Sequence, residues 1–215
     1  MKQSASHQLY THWNEKRRGR VSPERSDMDP AAIRGCLSDT FMLEIDGAGT
    51  YPFRLCGTRL AALFAGDPKG QSFLRYWDAV SAHELSGLLA CVHDEATIIV
   101  AGAAAGRAAG TPVSYEMLLL PLRCDGKTHA RVLGCLTPVA VPAWLGLVEG
   151  YPLALSSWRT VSQEALRLSN GQLGGLEAVG GMRLAATAKA PQTGVSRHAH
   201  LTVYQGGLFG HQKNR

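Results

Sequence analysis

The sequence predicts an α+β fold: a five-stranded antiparallel sheet with helices packed on one face, preceded by an amphipathic helix. Three observations predict it. Two short segments of period two, around 41–46 and 51–55, flank the turn Asp46-Gly47-Ala48-Gly49, the signature of a hairpin. Leu85, Leu88, Leu89 and Val92 recur at helical spacing with His83, Glu84, His93, Asp94 and Glu95 on the opposite face. Three strand-like segments follow, and the last two are joined at Asp125-Gly126.

Taken in order, residues 3–19 read as a helix with Leu9 and Trp13 on one face and Tyr10 beside them, ended by Gly19 and Pro23. Asp29-Pro30 supplies a helix cap and a first-turn proline, so a second short helix is expected, with Ile33, Cys36 and Leu37 as its apolar residues. Tyr51, Phe53 and Leu55 alternate along the second strand, all toward the core. Gly57-Thr58 opens a helix with Leu60, Leu63 and Phe64 inside, and Gly66-Asp67-Pro68 breaks it before a helical piece at Phe73–Trp77. Beyond the long helix, Thr97–Ala101 is β-branched, whereas 102–110 is nearly all Ala and Gly and reads as a loop or as a strand leaving room for something else. Val113–Arg123 and Thr128–Val139 complete the sheet. Domain organisation follows: a helical extension at 1–37, the sheet domain at 38–141, a flank at 142–161 packing on the core, a Gly/Ala/Ser/Thr-rich flexible linker at 162–197 and a short tail at 198–215.

Composition narrows the function. At 215 residues with 45% hydrophobic and 18% charged, the chain can build one core. It has no apolar run near the ~20 residues of a membrane span, and a polar start at Met1–Asn14, so the expected location is cytoplasmic. Five cysteines, Cys36, Cys56, Cys91, Cys124 and Cys135, form no Cys-x-x-Cys pair and read as small buried hydrophobes. The net charge of +5 is concentrated at Lys16, Arg17, Arg18, Arg20 and Arg25. That run is either a solvated helix end or a patch for nucleic acid or an anionic membrane surface. It lacks interleaved aromatics, which argues against nucleic acid.

Catalytic motifs fail on inspection. His83-Glu84 lacks the second histidine of a zinc-protease helix, since Gly87 stands there, and Gly47-x-Gly49 lacks the third glycine of a dinucleotide site. Neither a phosphate loop nor a Gly-x-Ser-x-Gly elbow occurs. The expectation is no enzyme, no metal site and no cofactor; His93, the best-placed haem ligand, flanks the apolar stripe instead of lying in it.

Trp13, Lys16-Arg17-Arg18-Gly19, Pro23, Arg25, Asp29-Pro30 and Leu37 together resemble the N-terminal signature of a bacterial PAS-like family of short stand-alone regulatory proteins. The resemblance continues through Phe53-Arg54-Leu55, Gly57-Thr58-Arg59-Leu60, Leu118–Leu122, Asp125-Gly126, Leu133-Gly134 and His200–Gly207. It implies a PAS fold and a regulatory role in signalling, with no catalytic residues to carry over.

Within such a domain, Phe53, Leu55, Leu60, Phe64, Trp77, Leu88, Leu89, Val92, Met117 and Leu119 should converge between sheet and helices, either filling that space or lining a pocket for a small apolar ligand. The strands at 117–120 and 132–136 are apolar at consecutive positions, so both sheet faces should be covered. The N-terminal helix, through Leu9, Tyr10 and Trp13, is the expected cover and the expected interface of a homodimer. A sensory module with an unknown protein partner is thus the leading reading. An adaptor working through the basic run is the alternative.

Overall fold

The computed structural model describes residues 1–105, 112–124, 127–161, 197–198 and 201–202. They fall into two units, Met1–Gln163 and Glu164–Arg215. In the first, the helices are α1 (Ser4–Arg17), α2 (Thr58–Leu63) and α3 (Ala79–Asp94). Its strands are β1 (Thr40–Glu44), β2 (Phe53–Cys56), β3 (Ile98–Ala105), β4 (Val113–Cys124), β5 (Lys127–Pro138) and β6 (Ala154–Val161). In the second, β7 (Arg197–His198) pairs antiparallel with β8 (Leu201–Thr202). The Asp125-Gly126 turn and nearly all of the expected linker lie outside the described residues.

The sheet runs β2-β1-β5-β4-β3-β6, every neighbouring pair antiparallel. It has six strands where five were expected. The sixth comes from the flank at 142–161, whose Ala154–Val161 pairs with β3. Side-chain bonds to α3 hold it there: Leu155 donates its N–H to the Ser81 hydroxyl at 2.8 Å, and Trp158 donates Nε1–H to Glu84 at 2.6 Å. The alanines of β3 sit between large neighbours, Ala101 between Met117 and Trp158 and Ala103 between Tyr115 and Leu155. Space that small residues leave is taken up from both sides.

On the other face lies α1. Its N-terminus has no side-chain cap of its own; Glu116 of β4 accepts the N–H groups of Lys2 at 2.6 Å and Gln3 at 3.0 Å instead. Burial pushes the Glu116 carboxyl up, but these bonds, one from Ser6 and the terminal amine outweigh it and hold the group below its ordinary value. Leu9 and Trp13 are fully buried, and the Trp13 indole donates to the Pro121 carbonyl at 2.8 Å. The helix ends at Arg18, which adopts a left-handed conformation one residue before Gly19.

The expected helix at Asp29–Leu37 does not form. The segment runs as successive three-residue turns, with Arg34 N–H on Ala31, Cys36 N–H on Ile33 and Asp39 N–H on Cys36, closing in a 3-10 turn at Leu37–Asp39. Nine residues are too few to sustain a helix alone, and side chains from elsewhere compete for its backbone groups. Gln8 donates to the Ala32 carbonyl, Thr40 to Cys36, and His12 Nε2 accepts from Asp29 N–H at 3.1 Å. A Cβ at Gly35 would strike the Gln8 amide.

The His12 contact makes this segment sensitive to acid. Accepting at Nε2 requires neutral imidazole. Burial, then the Lys16 ammonium, hold its pKa below the ordinary value against the pull of Glu15 and Asp29. A lowered pKa means the stabilisation is present above the ordinary value of about 6.5 and is lost as pH falls through the depressed one. Urea unfolding between about pH 7 and pH 5 should therefore show a loss of roughly 1 kcal/mol, one hydrogen bond's worth. His12→Gln, which keeps an acceptor but no titration, should flatten that part of the profile; an unchanged profile would exclude His12 as its source.

Candidate functional site

Nine of the ten side chains expected between sheet and helices are there. Phe53, Leu60, Phe64, Trp77, Leu88, Leu89, Val92, Met117 and Leu119 all belong to one buried cluster. Aromatic rings occupy its centre: Phe64 stacks on Tyr76 with centroids 4.1 Å apart, Phe41 on Phe73 at 5.1 Å, and Phe53 meets Phe73 edge-on at 5.4 Å. Such contacts are those of a packed interior.

Leu55 is the exception and corrects the expectation. It is 52% exposed and points to the opposite face. The cause is a register shift in the hairpin: Leu43 faces Phe53 and Met42 faces Leu55, so Arg54 is an extra residue with no partner on β1. A β-bulge of this kind reverses the alternation beyond it. Phe53 and Cys56 consequently stay with the core face while Leu55 joins Met42 on the other. Arg54 turns to Glu44 at 3.3 Å.

That reversal builds a site no sequence pattern suggested. Leu55, Met42 and Leu133 stand in one row across β2, β1 and β5. The turns after Arg25 form a wall over them, contributing Met28, Pro30, Ile33 and Leu37, and the groove so formed has a volume of about 510 Å³. Leu37 is exposed along this wall. At the corner from β2 into α2, a Cβ on Gly57 would collide with the backbone carbonyls of Leu37 and Ser38, so only glycine allows the wall to close on the strand edge. The wall's far end is anchored by Asp39, 2% exposed at its carboxylate, which takes both oxygens to Arg59 at 2.5 and 2.7 Å. Burial raises the Asp39 pKa, and Arg59 works against that rise.

The basic run is partly spent on structure. Arg17 is buried, donates to Asn14 at 2.7 Å and to the Arg20 carbonyl at 3.1 Å, and lies over the Trp13 ring at 5.8 Å. Arg20 pairs with Asp27 at 2.5 Å and donates to the Lys16 and Arg17 carbonyls. Two members of the expected basic patch, Arg17 and Arg20, are thus bonded to the chain's own groups. Lys16, Arg18 and Arg25 make no ion pair among the described residues, and three cations are a thin patch for phosphate. The interface expectation changes likewise: Leu9 and Trp13 are consumed by the chain's own sheet, and only Tyr10 remains half-exposed.

His93 lies at the edge of the core, beside the Tyr51 ring. Its Nδ1 meets Asp94 at 2.7 Å and its Nε2 lies 3.4 Å from the Tyr51 hydroxyl. The described residues contain no cluster of three or more His, Cys, Asp or Glu that could hold a metal ion, and no helix among them is long and apolar enough to cross a membrane. The cysteine thiols at Cys36, Cys56, Cys91 and Cys135 are all pushed up by burial, Cys56 and Cys135 to about 12, the opposite of an activated nucleophile.

An antiparallel sheet in the order β2-β1-β5-β4-β3, with short helices and one long helix inserted between its hairpin and its three closing strands, is a sensory-type α+β architecture. A family model described as PAS domain matches residues 1–137, and the chain belongs to that family. No curated protein matches it. PAS domains are in general sensory and signalling modules, commonly engaged in protein interactions and generally without catalysis of their own.

Proposed function

We propose that this protein is a non-catalytic signalling module that acts by binding on the outer face of its sheet, at the groove between β2 and the turns of 25–37. The carrying observation is the apolar groove with two exposed leucines at its rim. Leu55 and Leu37 are open to solvent beside Met42 and Leu133, while the helix-side residues stack on one another. Apolar surface gathered in a concavity is what binding sites use. A homodimer through Leu9 and Trp13 finds less support, because both are already covered by the chain's own sheet. An adaptor for nucleic acid or membrane finds less support, since Arg17 is buried and Arg20 is paired with Asp27.

Native mass spectrometry of the freshly purified full chain and of Leu55→Glu tests the reading. The wild type should carry an additional bound mass, a small molecule or a second protein, and the variant should lose it. Leu55 is exposed, so the substitution should alter stability by no more than about 0.5 kcal/mol. A bound mass retained by Leu55→Glu would place binding elsewhere.

A further inference from the structure

The charge around the groove is one-sided. Among the described residues, Arg25 is the only charged one on its lining. The acids nearest in sequence are committed to other partners: Glu24 pairs with Arg123 at 3.0 Å, and Asp27 with Arg20 at 2.5 Å. Asp29 takes the Ala31 N–H at 2.9 Å. The exposed Arg25 guanidinium makes no ion pair among the described residues. Behind it the floor is mostly apolar, through Met42, Leu55, Leu133 and Phe41, and the polar groups of the lining are the neutral hydroxyls of Ser26, Ser38, Thr40 and Thr58, of which Thr40's is given to the Cys36 carbonyl at 2.8 Å.

A volume of about 510 Å³ lies within the range of small-molecule sites, roughly 300–1,000 Å³. A neutral apolar ligand would leave the cation at the mouth without a counter-charge, and a cationic one would meet no carboxylate on the lining. An apolar slot with one cation at its mouth complements a molecule with an aliphatic chain and a single negative head. Resting on the groove reading above, we infer that the site binds an amphipathic anion, a free fatty-acyl carboxylate. Its chain lies along Met42, Leu55 and Leu133, and its head group meets Arg25.

The test uses the full chain at low ionic strength with dodecanoate and dodecanol as probes, followed by titration calorimetry. Dodecanoate should bind one to one and more tightly than dodecanol. Arg25→Gln should weaken dodecanoate by about fivefold, the upper end for an exposed ion pair, and leave dodecanol unchanged. Leu55→Glu should abolish both. Equal affinity for the two probes, or indifference of dodecanoate to Arg25→Gln, overturns the anion while leaving the groove reading in place. No binding of either probe overturns the ligand. A concentration-dependent dimer dissociated by Leu55→Glu would give the groove to a second copy of the chain. Binding to phosphatidylglycerol vesicles, with free dodecanoate unable to compete, would give it to a membrane surface. Either result overturns the inference.

Discussion

Trp13→Ala should destabilise the protein by about 3–5 kcal/mol, the range for removing a large buried aromatic side chain. Trp13 has no exposed surface, so the substitution leaves a void between α1 and the sheet. It also strips the Pro121 carbonyl of its donor, deprives Arg17 of the ring beneath it and removes the partner of Tyr10. Trp13→Phe restores much of the volume but not the hydrogen bond, and should fall well short of the full loss. Urea midpoints of the three proteins give the comparison. A wild-type midpoint for the alanine variant would mean that α1 does not rest on the sheet. Because His12 and Gln8 hold the turns of 29–36 from the same helix, the alanine variant should also loosen the groove wall, seen as faster amide exchange there.

Arg59→Met should cost about 3 kcal/mol near neutral pH, the lower end of the range for breaking a buried pair. The Arg59 side chain is 34% exposed and water screens part of the interaction, but the Asp39 carboxylate left behind is buried. The pH dependence identifies the cause. Burial already raises the Asp39 pKa in the intact pair, with Arg59 acting against it, so removing Arg59 raises it further. For a raised folded-state pKa, stability is complete below the ordinary carboxylate value near 4 and is lost as pH rises through the raised one. The deficit of Arg59→Met relative to wild type should accordingly shrink on acidification, as protonation of Asp39 removes the unpaired charge. A deficit that stays constant with pH would assign the loss to the packing of the Arg59 stem instead.

Much of the fold was legible because local pattern and burial agree along most of the chain. The stripe Leu85, Leu88, Leu89 and Val92 becomes the buried face of α3, and the Asp78 side chain caps it by accepting from Ser81 N–H at 2.8 Å. The consecutive apolar residues of β4 and β5 announced a sheet covered on both faces, and α1 supplies the second cover from the same chain. Inward residues such as Phe53, Leu60 and Met117 needed only period and polarity to be placed.

What sequence by itself determined, then, is the class of fold, the order of its elements and the identity of the core, since those follow from side-chain periodicity within each segment. Tertiary structure decided the rest. Leu55 alternates in sequence with Tyr51 and Phe53, yet one unpaired residue, Arg54, turns it to the other face; a bulge depends on the partner strand's register, which no local window contains. The segment 29–37 has a helix's cap and proline, but Gln8, His12 and Thr40 claim its backbone groups from afar. Arg17 and Arg20 look like free cations until Trp13, Asn14 and Asp27 are folded beside them. Strand β6 has too little contrast between its faces to declare itself, and is set by the open edge of β3 and by Ser81 and Glu84 on α3. The groove arises where these long-range choices meet: its floor needs the bulge, its wall needs the untwisted turns, and its single uncompensated cation needs every neighbouring acid to have found another partner.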